Sequence, residues 1–297
     1  METEINAFLV SLQAEPAYSE STQLAYANDL RVFLLYLKGM SDQPPTVSDL
    51  NSQQVTGFLE AERNLGRRRN TLIRRLATLK YFQEYLVDQR LVSSKSFSVK
   101  DEDIQGVISG IPISQPLQCL TQEQIGALLA LLDASLRPRA LRDRAMLLLL
   151  LETGLSVGDL TALDLTDLDL RAGKFHVNLA GKGDLWLSMG EAQNAVAEYL
   201  YDGRPDLLHH LGEPALFISQ MDGRLSRQGV WQILNHWGHM ANPAITVSPR
   251  VLRHTAALRM SRAGLSDAEI QVRLGHRNPL STRALIRRLE ATCNDQP

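Results

Sequence analysis

Arg250 and Arg253 stand three positions apart in SPRVLRHTAALRM, and His254 stands four positions from Arg250. Residues at those spacings share one helix face. Arginine holds phosphate through forked, charge-assisted hydrogen bonds, and histidine can carry a proton near neutral pH. Further on, LGHRNPLSTRALIRR (274–288) contains His276, four arginines and no acid. These residue types point to the holding of a phosphate. A solvated basic face is the plainer reading. Against it, Leu252-Arg253-His254-Thr255 is set in an apolar-periodic helix, which puts Arg253 and His254 near a partly buried seam. Whether a held phosphate could react depends on a nucleophile. Ser281, Thr282 and Cys293 are the nearby candidates, but nothing in the sequence places a base beside them, and Ser281 and Thr282 read more simply as a helix start.

The elements that must position these residues are helices for the most part. Residues 1–110 read as helices only: INAFLVSLQ, STQLAYANDLRVFLLYLKG, NSQQVTGFLEAERNLG and RNTLIRRLATLKYFQEYLVDQRL each carry apolar residues at three- and four-residue spacing. Asn51 and Gln54 suit a capping box, and Gly39 and Gly66 mark helix ends. This predicts a bundle of four or five helices with short turns. Glycine, proline and serine then interrupt any period over 104–120, so 111–120 is read as a linker between a first domain (1–110) and a second (121–297). In the second, Thr121 and Gln124 open a helix, and RALRDRAMLLLLLE makes another that stops near Gly154. LDLTDLDL, KFHVNLA and LWLSM predict a small antiparallel sheet. Helices return with EAQNAVAEYLYDG, with a run capped by Ser226, with one opened by Pro249, and with one boxed by Ser266 and Glu269. The fold class expected is mainly α with a small antiparallel β-sheet.

Composition excludes several classes. With 297 residues, 44% hydrophobic and 22% charged, the chain can bury proper cores in two domains. Cys119 and Cys293 make no disulfide framework and no metal-ligand spacing, so no metal or cofactor is expected and a reducing cytoplasm fits best. The start METEINAF is acidic, unlike a secretory signal. The longest apolar run, Ala145–Leu151, is far too short to span a membrane. Net charge is −2, which argues against a generally sticky polyanion binder. The average hides asymmetry. Residues 63–82 hold seven cations and no acid, and residues 250–288 hold nine arginines against Asp267 and Glu269. Two basic patches on a neutral body fit a protein that meets a polyanion along one surface.

SPRVLRHTAALRMSRAGLSDAEIQVRLGH resembles the signature of the tyrosine recombinases, the phage-integrase and Xer-type family, as does RDRAMLLLLLETGLSVGDLTALDLTDLDL followed by a strand and GKG. The match runs over nearly the whole chain. Several ordered motifs make it specific, where a lone LGH would mean nothing. The N-terminal helices, including STQLAYANDLRVFLLYL and NTLIRRLATLKYFQEYL, resemble the family's core-binding domain, and the remainder resembles its catalytic domain. The resemblance implies two domains that clamp duplex DNA from opposite sides. The family attacks a DNA phosphodiester with a tyrosine. Two arginines, a lysine and two histidines, the second sometimes tryptophan, steady the charge and move protons without a metal.

Carried over residue by residue, the resemblance is incomplete. The first arginine belongs after TG-L, where this chain reads TGLSVGDL and has Ser156; the acidic neighbour is kept as Asp159. Lys182 in GKGD matches the lysine of the β-turn, on a turn shorter than usual. Arg250 stands where the first histidine is expected. Arg253 matches the second arginine and His276 the later histidine. The nucleophile belongs about nine residues beyond His276, where the chain has Leu285, and no tyrosine follows Tyr201 in this sequence. Leucine has no nucleophilic atom. Ser156 removes a bidentate cation from the reacting phosphate, and the loss of one such preorganised donor costs roughly 10²–10³ in rate. Arg250 exchanges a titratable proton carrier for a fixed cation.

The resulting expectation is a catalytically inactive homologue that binds double-stranded DNA in a regulatory or architectural role, cytoplasmic and nucleoid-associated. The expected DNA contacts are Arg67, Arg68, Arg69, Asn70, Arg74 and Arg75 in the first domain, a region the resemblance places at the major groove, and Lys182, Arg250, Arg253 and His276 in the second. Along the first of these helices no acid balances the arginines, so intrahelical pairing cannot explain them. Partners would be an active recombinase or further copies of the chain on DNA, with no membrane. Only twelve residues follow Leu285, which leaves little C-terminal helix to exchange and favours a monomer in solution. Two other classes stand beside this reading: a recombinase with a displaced or partner-supplied nucleophile, and a protein-interaction module that does not bind DNA. Trp186, Trp231 and Trp237 have no ligand pattern and read as core or interface.

Overall fold

The computed structural model describes residues 1–13, 18, 20–93, 117–179, 183–210, 212–221, 223–276 and 279–293. The chain gathers into two compact units, Met1–Gln115 and Pro116–Pro297. It is mainly α with one small antiparallel sheet.

Unit 1 is built from α1 (Glu2–Gln13), α2 (Glu20–Met40), α3 (Ser52–Asn64) and α4 (Arg69–Asp88). Their apolar stripes meet in one core that includes Phe8, Leu30, Phe33, Phe58, Leu79 and Phe82. Burying each such side chain stabilises the unit by about 1.5–3 kcal/mol. Asn51 caps α3 by accepting from the Gln54 N–H at 3.1 Å. At the other end, Gly66 adopts φ +75°. That left-handed residue lets the Arg67 N–H reach back to Glu62 O at 3.1 Å and its own N–H to Arg63 O at 2.9 Å, a paired closure of the helix end. Arg67 and Arg68 thus lie in a tight turn, and Arg69 begins the next helix.

Unit 2 opens with Leu117–Leu120, which composition assigns to the linker. There the structure differs. Leu117, Cys119 and Leu120 are buried, and the Leu120 N–H donates to Thr255 Oγ1 at 2.9 Å. The glycine- and proline-rich character ends at Pro116, and the alternating apolar residues after it pack as a short extended segment. The rest of the stretch read as a linker lies outside the described residues. A capping box of Thr121 and Gln124 starts α5 (Gln122–Asp133). The helix α6 (Pro138–Thr153) is buried on almost every side, so the run Ala145–Leu151 is core. Its Arg142 is buried too, donating to Asp143 and to Ile218 O at 2.9 Å each.

After α7 (Val157–Ala162) comes the sheet, in the order β1 (Leu168–Asp169), β2 (Lys174–Leu179), β3 (Gly183–Ser188). Antiparallel pairing runs from Lys174↔Ser188 to Leu179↔Gly183, and Phe175 and Val177 point inward with period two. Only two residues of LDLTDLDL form strand. Leu165–Asp167 is a 3₁₀ turn, because the Asp167 carboxylate takes the Asp164 N–H at 2.8 Å and competes with the ladder. The helices that follow are α8 (Ala192–Glu198), α9 (Arg204–Leu207), α10 (Arg227–Ala241), α11 (Pro249–Arg262), α12 (Asp267–Arg273) and α13 (Pro279–Cys293). A satellite core of Ala256, Leu258, Ile270, Leu274 and Leu289 joins the last three. Trp237 donates its indole N–H to Asp143 Oδ2 at 2.9 Å, whereas Trp186 and Trp231 are half exposed and are not core. Among the described residues no helix is long and apolar enough to cross a membrane.

Candidate functional site

The site in unit 2 forms where the turn between α6 and α7 meets α11 and the end of α12. Gly154 ends α6 with φ +66°. It also sits where a Cβ would lie 2.7 Å from Leu274 Cδ2 and 3.4 Å from Ala256 Cβ. A glycine is needed there for both conformation and room. This close approach brings two backbone carbonyls within reach of one side chain. Arg253 donates from Nη1 to Gly154 O at 2.8 Å and from Nη2 to Leu274 O. The fork therefore ties the α6–α7 turn to the end of α12. Burial lowers the Arg253 guanidinium below the usual arginine range, opposed by the charge of Asp159. No carboxylate forms an ion pair with it among the described residues. A guanidinium has five N–H donors, so Arg253 retains donors beyond the two it uses here.

Ser156 caps α7. Its Oγ accepts from the Asp159 N–H at 3.1 Å and donates to Asp159 Oδ2 at 2.6 Å. Both functions of the hydroxyl are engaged by its own helix, as expected of a serine at an N-cap. Arg250 is exposed on the first turn of α11, while His254 is buried, its Nδ1 3.3 Å from Gln118 O. Burial pushes the His254 imidazole below the ordinary histidine range, and the positive charges of Arg250, Arg253 and Arg288 push the same way. His276 is half-buried. Its backbone N–H bonds to Gln271 O at 3.1 Å, and its Nδ1 lies 2.8 Å from Thr282 Oγ1, which fixes the ring. Leu285 is half-buried and packs against the satellite core of α11, α12 and α13. Ser281 is exposed two residues into α13, and Thr282 is buried as the partner of His276. Lys182 lies outside the described residues. Among the described residues no group of three or more histidine, cysteine or acidic side chains could hold a metal ion.

In unit 1 the basic stretch divides. Arg75 is buried, pairs with Glu62 and lies 3.6 Å from Asp29, with its guanidinium 5.7 Å from the centre of the Phe58 ring. Arg74 pairs with Asp29 and donates to Ala25 O at 3.2 Å; Arg67 Nε donates to Glu62 at 3.2 Å. Burial raises the Asp29 carboxyl above the usual aspartate range, against the pull of Arg74, the Thr78 hydroxyl and Arg75. The sequence shows no acid along this helix, and the structure shows why that is not the whole balance: the acids come from α2 and α3. Arg75 is thereby withdrawn from any surface contact. Arg68 and Asn70 stay exposed and Arg69 half-exposed at the start of α4, with no acid in its first turn. One cation outside the expected set lies against α7. Arg227, at the start of α10, lays its guanidinium against Gly158 on the first turn of α7. Its sequence neighbours, SRQG, carry no signal beyond a helix cap.

Residues 118–290 match the model of the phage integrase family, and residues 5–90 match that of the phage integrase N-terminal SAM-like domain. The tyrosine recombinase XerC of Herpetosiphon aurantiacus is 30% identical across 95% of this chain and 90% of its own length. The tyrosine recombinase XerD of Shewanella oneidensis is 31% identical across 94% of this chain and 89% of its own. Among solved structures, the XerH site-specific recombinase bound to a palindromic difH substrate superposes with TM-score 0.70 at 19% identity, covering 92% of this chain and 79% of that one. A Tn1549 transposon integrase in complex with DNA reaches TM-score 0.72 at 15% identity, covering 95% and 94%. These two likenesses show the shared fold.

Proposed function

We propose that this chain, which belongs to the phage integrase family, binds duplex DNA without cutting it, as an inactive homologue with a regulatory or architectural role. One observation carries this reading. At the position where the family resemblance places the nucleophile, nine residues beyond His276, stands Leu285, whose side chain packs into an apolar core. Ser156 supports it: in place of a guanidinium there is a hydroxyl bonded to its own helix. Phosphoryl transfer relies on positioning and on charge stabilisation, and both a charge and the attacking atom are missing. What remains, Arg250, Arg253 and His276, with Lys182 at its matched position, is suited to holding a phosphate. In unit 1, Arg68 and Arg69 sit at a helix N-terminus, where cations oppose the helix dipole. A placement that does not serve the helix suits contact with a DNA backbone. The DNA named with the solved relatives is consistent with this.

The reading is tested by crosslinking the chain to DNA in cells and recovering the bound fragments, followed by titration of the purified protein on the recovered site. The expected result is a reproducible set of sites and an affinity that falls steeply with salt. Recovery of random background, or binding indifferent to salt, would contradict it. A recombinase with a borrowed nucleophile would leave protein covalently joined to the recovered strands.

A further inference from the structure

We propose that Arg227 supplies the guanidinium that position 156 lacks, so that the phosphate grip of unit 2 consists of Arg227, Arg250, Arg253 and His276. This rests on the reading of the chain as a DNA binder and assigns a contact to it. The geometry is specific. A Cβ built on Gly158 would lie 2.8 Å from Arg227 Nη2, 3.1 Å from Cζ and 3.2 Å from Nε. Three atoms of one planar group nearly equidistant from one point mean that the guanidinium lies face-on over Gly158. Any other residue there would push it away. The residue is exposed, so donors of this guanidinium are open to a phosphate, which arginine binds in a forked manner.

The backbone beneath Arg227 is fixed. Leu225 is buried and its N–H donates to Phe217 O at 2.9 Å, and Ser226 caps α10 by accepting from the Gly229 N–H at 3.0 Å. The charge is not otherwise used. Arg224, three residues earlier, pairs with Asp164 and donates to Thr161 O at 2.8 Å. Arg227 is exposed and has no carboxylate or carbonyl bonded to it among the described residues. Its place relative to Arg253 is bounded by the chain. Arg253 holds Gly154 and Arg227 covers Gly158, and four residue steps span at most about 14 Å. Ser156 lies midway along that segment. Two cations thus flank the position where the family resemblance places an arginine. Asp159, the acid nearest to them, is bonded to Ser156.

The experiment measures anisotropy of a fluorescent duplex carrying a site recovered from cells, with the full chain at several salt concentrations. Wild type binds first. R227A then binds about tenfold more weakly, and its plot of log affinity against log salt is shallower by about one. R227K recovers part of the slope and less of the affinity, since it restores charge without the fork. G158V shows the same loss with the arginine still present, and adds nothing in an R227A background. S156R restores binding to R227A. Melting curves are recorded for each variant, and R227A, on an exposed side chain, leaves the melting temperature unchanged. If R227A binds like wild type, or if folded S156R/R227A binds no better than R227A, the assignment is overturned. If wild type binds no duplex at all, the DNA-binding reading falls with it, and the wild-type titration separates the two cases.

Discussion

Arg75 on α4 and Arg253 on α11 are held in two different ways, although other arginines of the α11 stretch, such as Arg259 with Glu152, are paired with acids too. Around α4, Arg67, Arg74 and Arg75 are drawn to Glu62 and Asp29, acids whose side chains lie almost wholly inside the bundle of unit 1. Around α11, Arg253 is equally well held, but by the carbonyl oxygens of Gly154 and Leu274. A carbonyl fixes a guanidinium without cancelling its charge. A carboxylate fixes it and cancels the charge as well. The first arrangement builds a fold. The second leaves the charge of a fixed cation unneutralised, as the proposed grip on a phosphate requires; Arg68 and Arg69 also have no acid in the first turn of α4, and they are exposed and half-exposed. Charge density in a sequence therefore locates candidate binding surfaces only after neighbouring elements have claimed their share.

The sharpest way to break this contrast is R75A. It removes the buried cation shared by Glu62 and Asp29 and leaves each acid only its more exposed partner, Arg67 or Arg74; complete loss of a partner from a buried ion pair costs about 3–5 kcal/mol, which sets the upper end of the expected loss. Denaturant unfolding should show that loss, and a change below about 1 kcal/mol would mean the pairing is not structural. Next in size is R253A. It should weaken binding of duplex DNA by about ten- to a hundredfold, from the loss of hydrogen bonds to a charged group. Its stability cost is smaller, about 1–3 kcal/mol, since two carbonyls lose their donor. A variant that loses stability and keeps its affinity would place Arg253 with Arg75 as a structural residue. R68A and R69A should each make the salt dependence shallower by about one and change stability by less than about 0.5 kcal/mol. An unchanged salt slope would remove unit 1 from the DNA contact.

The smallest effect concerns pH. His254 has a folded pKa below its unfolded value of about 6.5. Between the two values the unfolded chain binds more protons, so stability rises with pH. The His254 contribution is therefore lost as pH falls below about 6.5. Unfolding measured at descending pH should show wild type losing stability in that window more steeply than H254N. Parallel curves would show that the buried imidazole does not titrate as its surroundings imply.

Much of the fold was legible because it is written locally. The capping box of Thr121 and Gln124, the serine caps of α10 and α12 and the proline opening α11 all lie at the predicted positions, since each depends on residues a few places apart. The first strand was overestimated because alternating leucines and aspartates satisfy a strand pattern while the aspartates prefer to bond backbone in a turn. The partners of Arg74 and Arg75 were hidden for a different reason. Asp29 lies 45 residues from Arg74 in the chain, and only the bundle brings them together. The approach of Arg227 to Gly158 was hidden for the same cause, the two being distant in sequence and adjacent in space. In the candidate site, the identities at 156, 250 and 285 were readable from the family resemblance, but the bonding of Ser156 and the packing of Leu285 were not.

The central claim is that the chain holds DNA and does not join to it. A nicked suicide duplex carrying the site recovered from cells tests this directly, because strand attack on such a substrate traps protein on DNA. The chain should retard the duplex on a native gel, release it as salt rises, and leave no protein–DNA band under denaturing conditions. A denaturation-resistant band, or a duplex that migrates unshifted at every salt concentration, would contradict the account.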